Sequence, residues 1–192
     1  MSRTRRYQLF YVLAVLALTA LVVAVYASAG MAGFVAFGLF LLVPGRVGRY
    51  YLGDLFRSRV LVDQKRFHAA IEAGHAFLAD LQREPWRRHL IYCQYGIYTW
   101  NVEAMARNNI GAARMELGEI DQAERDLRHA IRNDADYAIP CYNLAVIAYV
   151  RGEAAEGDRL IALAADKGYS GGHLDRLISR VGAAYARLQA KA

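Results

Sequence analysis

Between Tyr7 and Gly45 the chain carries no Asp, Glu, Lys or Arg, an uncharged run of 39 residues. No other feature constrains the fold as tightly, because a water-facing element of that length needs a polar face. A hydrocarbon core of about 30 Å takes about 20 helical residues, or about 17 at the short end. The run therefore predicts two short transmembrane spans, near residues 7–25 and 31–43, joined by a tight turn. Small residues mark that turn: Ala27, Ser28, Ala29, Gly30, Met31, Ala32 and Gly33. Pro44 and Gly45 are expected to end the second span. Its clean apolar stretch is 13 residues, so crossing requires extension into the turn or into residues 46–56. Ala14, Ala17, Ala20, Ala24 and Ala27 make one face of the first helix small; Ala29, Ala32, Gly33 and Ala36 do the same on the second. Such faces permit the close approach through which helices associate in lipid.

Charge is divided unevenly. Residues 1–66 hold nine Lys/Arg and two acids, and residues 67–192 hold 15 and 16. The basic pI of 9.4 thus belongs to the flanks of the apolar run, and no basic stripe remains for a nucleic-acid backbone. Arginines lie on both sides of the run and none lies in the turn, so both termini are expected on the cytoplasmic side of a bacterial-type inner membrane. Residues 46–60 read as a juxtamembrane collar: Arg46, Arg49, Tyr50, Tyr51, Phe56, Arg57 and Arg59 suit the headgroup layer and a membrane-lipid contact. A rival layout is a signal peptide with Ala27-Ser28-Ala29 as its cleavage site, or one uncleaved span with an exported domain. The apolar stretch exceeds the usual ~7–15 residues, and a second follows at once.

From Leu61 onward helical periodicity dominates, giving an all-α class. Residues 61–83 read as one helix with Phe67, Ala70, Ile71, Gly74, Phe77, Leu78 and Leu81 on a face. Residues 86–98 read as another, begun by Pro85 and lined by Tyr92, Tyr95 and Tyr98. Residues 104–137 and 138–171 then repeat each other at 34 residues. Asn109-Ile110-Gly111 aligns with Asn143-Leu144-Ala145, and Leu117-Gly118-Glu119 with Arg151-Gly152-Glu153. Ala123 aligns with Gly157, Leu127 with Ile161 and Ala130 with Ala164. The small residues of each pair let two helices approach. Residues 173–190, with Leu174, Leu177, Ile178, Val181, Tyr185 and Leu188 on one face, read as a capping helix.

This pattern resembles the tetratricopeptide repeat family, whose unit is 34 residues and two antiparallel helices. The first copy fits at Ile110, Gly111, Gly118, Ala123, Leu127 and Ala130 but has Ala135 in place of the closing proline; the second has Gly157 in place of alanine. Residues 67–82 look like the second helix of a degenerate earlier unit. The resemblance implies protein binding through an inner face formed by the first helix of each unit. By position these are Met105, Asn108, Asn109, Ala112, Met115 and Glu116, then Ile139, Tyr142, Asn143, Val146, Tyr149 and Val150. The lysines and arginines with which family members clamp a carboxylate terminus are missing. An amphipathic helix or apolar peptide suits the face better, unless the chain's own last helix fills it.

Chemistry finds little purchase. His68, His75, His89, His129 and His173 are scattered, and no cofactor or metal is implied. Cys93 and Cys141 form no C-x-x-C pair and read as free core thiols. No phosphate-binding glycine loop or nucleophile elbow occurs. The expected function is a membrane-anchored adaptor or scaffold, not an enzyme, that holds a membrane-associated protein partner, with assembly of a membrane complex as one such setting. The alternatives are a permanent accessory subunit and an exported, tethered chaperone.

Overall fold

The computed structural model describes residues 3–93, 99–169 and 171–191, without the side chains of residues 3–8, 10, 11, 29, 40, 41, 44 and Cys93. Among the described residues the fold is all-α. Helix α1 (Arg3–Tyr51) leads into α2 (Gly53–Asp63) and α3 (Phe67–Arg83), then a 3-10 segment (Pro85–Cys93). There follow α4 (Val102–Leu117), α5 (Ile120–Asn133), α6 (Ala138–Val150), α7 (Ala154–Asp166) and α8 (Leu174–Gln189).

Helix α1 is broken once, at Gly30, where φ is 65° and ψ −160°. Only glycine occupies that region at low cost, so the break falls where the sequence offers Gly. On a straight helix, residues eight apart are separated by about 12 Å along the axis. The Tyr26 and Phe34 rings instead meet edge to face, their centroids 6.0 Å apart, so the two halves bend toward each other. The second half does not stop at Pro44-Gly45, as the sequence suggests, but runs on to Tyr51. A proline inside a helix forfeits one hydrogen bond. Docking of the helix end offsets that cost: Gly48 and Leu52 are buried, and Leu55 in the next turn is fully enclosed. Among the described residues no helix is long and apolar enough to cross a membrane. The uncharged part of α1 nonetheless has a bare apolar surface, with Leu13, Leu16, Val23, Met31, Leu39 and Leu42 all exposed.

The expected single helix over 61–83 is two helices. Lys65 takes a left-handed φ of 61° between α2 and α3. Two hydrogen bonds close the turn, Arg66 N–H to Leu61 C=O and Lys65 N–H to Val62 C=O, each 2.9 Å. Helices α4, α6 and α7 end in the same two-bond turn around Gly118, Gly152 and Gly168. Lysine at the glycine position is why the break is hard to see in the sequence. The buried Ser58 hydroxyl then ties α2 to α3 by donating to the Ala70 carbonyl at 2.8 Å.

Residues 85–93 are a 3-10 segment rather than the start of an α-helix. Its three-residue period lines up Trp86, His89 and Tyr92 on one exposed edge, while Ile91 is buried. Tyr95 and Tyr98 lie outside the described residues.

From α4 on, the helices form antiparallel pairs, α4 with α5 and α6 with α7, preceded by the pair α2–α3. This arrangement is compatible with a helical repeat array. The Asn101 side chain begins α4 by accepting from the Ala104 N–H and also donates to the Asn133 carbonyl, pinning the end of α5 beside the start of α4. The small residues sit at the tight contacts. A Cβ on Gly111 would lie 2.8 Å from Leu127 Cγ, and one on Gly157 2.7 Å from the Tyr149 ring. Ala123, Ala130, Ala145 and Ala164 are fully buried. Helix α6 is apolar all round because α7, α5 and α8 enclose it.

Candidate functional site: the inner face and the helix that fills it

The inner face is built from α4 and α6, and α8 lies across it. Helix α8 packs on both of these rather than on α7, so it is a groove filler, not a further layer stacked on the end of the array. The seven residues 167–173 carry the chain back from α7 to reach it. Met115, Tyr142 and Val146 belong to the same buried cluster as Val181 of α8. Gly118 is fixed doubly: its φ is 83°, and a Cβ there would lie 2.6 Å from the Ala184 carbonyl oxygen. The Arg180 guanidinium forks onto the Glu116 carboxylate, with Nε donating to Oε2 at 2.7 Å and Nη2 to Oε1.

The two tyrosines expected to line the face part company. Tyr142 lies under the connector before α8, stacked edge-on against Tyr169 at 5.3 Å, its hydroxyl donating to the Gly172 carbonyl at 3.4 Å. Burial first, then the neighbouring Tyr169 and Asp175, pushes its phenol pKa up. Tyr149 turns to α7 instead, packing on Gly157 and donating to Asp158 Oδ1 at 2.6 Å. That hydrogen bond is the main reason its pKa is raised. Val150 is half-buried against the same cluster, and Ala112 is half-buried on α4. Met105 packs instead on the cluster around Phe77 and Ile110, and Ile139 on that around Tyr137.

The asparagines serve a use the sequence did not reveal. Asn143 Nδ2 donates to Asn108 Oδ1 at 3.0 Å, and Asn109 Nδ2 donates to the Leu55 carbonyl at 3.3 Å. Asn143 and Asn109 are equivalent in the repeat. Each reaches back to the first helix of the preceding pair, which gives α2 that standing relative to α4. All three asparagines are buried. The signal available in the sequence was their 34-residue spacing alone.

On the face of α4 away from α8, Asp126 of α5 is buried between Arg107, at 3.2 Å, and Arg114. His75 of α3 lies near this cluster. The ring is solvent-exposed at its edge, and its pKa is lowered by partial desolvation first and then by Arg114, with Asp126 opposing.

The collar divides at the end of α1. Arg46, Arg49 and Tyr50 point outward, Tyr50 at 81% exposure. Tyr51 turns inward, its ring 4.9 Å from Trp86 and 5.3 Å beneath the Arg87 guanidinium. Phe56 packs on the core. Arg57 and Arg59 stay exposed beside Asp54 and Asp63.

A cleft of about 760 Å³ opens between the 3-10 segment, the start of α4 and the end of α5, lined by His89, Tyr92, Trp100, Glu103 and Asp134 among others. Glu103 stands 4.0 Å from His129. Among the described residues no three His, Cys, Asp or Glu side chains gather as a metal site requires. Cys141 is a buried free thiol whose pKa is pushed up by burial.

No family model matches the chain, and neither a curated protein nor a solved structure matches it.

Proposed function

We propose that the chain is a membrane-anchored adaptor of tetratricopeptide type, holding a protein partner close to the bilayer on the cytoplasmic side. One observation carries this reading: the helix that holds the uncharged, bare apolar run, α1, enters the repeat array with no linker. Leu52 and Leu55, just past its end, are fully buried with Phe77 and Ile110 in the array's own core. Whatever holds α1 therefore holds the array. A contiguous exposed apolar surface of this kind calls for a lipid or protein cover. Arg46, Arg49 and Tyr50 stand where the helix would leave the hydrocarbon, at the level suited to headgroups. The arginines flanking the uncharged run favour both ends on the cytoplasmic side. The proposal assigns no catalytic step to any residue.

The filled inner face favours one second reading, a permanent accessory subunit that docks through the hairpin and collar. The two part on purification of the full chain from its own membranes in mild detergent. The adaptor retains a partner in variable amount, and a Val181→Asp change in α8 alters its retention. The accessory subunit co-purifies in fixed ratio with its complex, indifferent to Val181. A chain recovered alone from intact membranes contradicts both.

A further inference from the structure

The inner face is occupied, and its occupant is weakly held. In α8 only Val181 and Ala184 are buried; Leu174, Leu177, Ile178 and Tyr185 are half-buried and Leu188 is exposed. Its first turn has no side-chain cap, and the capping residue His173 takes a left-handed φ of 62°, a conformation disfavoured for a residue with a Cβ. The connector contains Gly168, Gly171 and Gly172. A seven-residue link holds its cargo at millimolar effective concentration. Helix α6, by contrast, is enclosed along nearly its whole length.

We infer that α8 is a displaceable internal ligand of the inner face, and that its own pattern states the chemistry of the partner that replaces it. That partner is an amphipathic helix with apolar residues at the spacing of Leu174, Leu177, Ile178 and Val181 and an arginine one residue before the last. The arginine is specified because Glu116, 11% exposed beneath the Arg180 guanidinium, loses both of that guanidinium's hydrogen bonds when Arg180 departs. A helix must also present a small residue where Ala184 meets Gly118, since the backbones touch there. The inference rests on the array being a partner-binding module and is indifferent to how α1 is held.

Two measurements on the full chain in mild detergent test it. In hydrogen exchange of the parent chain, α8 amides should exchange at least tenfold faster than those of α4–α7, showing that α8 opens by itself. A labelled synthetic peptide of residues 172–191 is then titrated into the parent and into a Val181→Asp chain, whose own α8 docks poorly. Freed of a millimolar competitor, the variant should bind the peptide about a hundredfold more tightly than the parent. Arg180→Glu in the peptide should weaken binding at least fivefold, and Glu116→Arg in the chain should restore it. A single shared exchange rate for α8 and α4–α7 overturns the inference. So does loss of α4–α7 protection in the Val181→Asp chain, which would make α8 an integral part of the core. Retained protection without tighter peptide binding overturns it as well. The adaptor reading fails separately, when no partner is retained at all.

Discussion

Gly118 and Gly152 offer a matched pair in which one chemical change asks two structural questions. Both end the first helix of a repeat, both have left-handed φ (83° and 81°), and both close the same two-bond turn. They differ in surroundings: a Cβ on Gly152 meets nothing within 4 Å, whereas one on Gly118 meets the α8 backbone at 2.6–2.8 Å. Gly152→Ala should therefore cost only the left-handed penalty, about 1–2 kcal/mol. Gly118→Ala pays the same and must also push α8 outward, since backbone cannot rotate away as a side chain can. The extra cost is bounded by the burial that α8 surrenders, about 1.5–2 kcal/mol for the fully buried Val181 and somewhat more with its half-buried neighbours. The difference between the variants should be about 1.5–3 kcal/mol. Urea unfolding in mild detergent measures both, and hydrogen exchange should place the extra loss of Gly118→Ala in α8. Equal costs, within about 0.5 kcal/mol, would refute the placement of α8 against this turn.

Asp126→Ala should destabilise by about 2–4 kcal/mol in the same assay, because it leaves Arg107 and Arg114 with no buried carboxylate between them. His75, whose pKa is lower folded than unfolded, binds its proton more readily in the unfolded chain. Stability should thus be unaffected above the ordinary histidine pKa of about 6.5 and fall as pH drops below it, and a His75→Gln chain should show a shallower fall in thermal melts. Lys65→Gly should stabilise by up to about 1 kcal/mol in urea unfolding by relieving the left-handed φ between α2 and α3.

What the sequence disclosed, and what it withheld, follows from which interactions are local. The repeat helices α4 to α7 were legible because their small residues recur at 34 and their terminal glycines, Gly118 and Gly152, sit where a left-handed turn needs them. The α2–α3 break was not, since Lys65 does glycine's work with no compositional mark. The passage of α1 through Pro44 was equally hidden, because the compensation is tertiary: Gly48, Leu52 and Leu55 docking in the array. As for the inner face, Met115, Tyr142 and Val146 were legible as one apolar surface, while Tyr149 was misplaced by its partner Asp158. The position of α8 was out of reach. A stripe at Leu174, Leu177, Ile178 and Val181 serves a stacked cap and a groove ligand alike, and only the Arg180–Glu116 pair and the Gly118 contact, both over sixty residues apart in sequence, tell them apart. The asparagine ladder through Asn109 and Asn143 was hidden for the same reason: its acceptors lie in other helices.

The proposed anchoring of the array in a bilayer through α1, with both ends of the chain on one side, is open to test by cysteine accessibility in sealed membrane vesicles of known orientation. The chain's own Cys93 and Cys141 are replaced by alanine, and single cysteines are placed at Ser28, beside the Gly30 break, and at Ala190, past the end of α8. The account predicts that a membrane-impermeant maleimide reaches the two positions from opposite faces. Labelling of both from the same face, or recovery of the chain in the soluble fraction with both positions open, would contradict it.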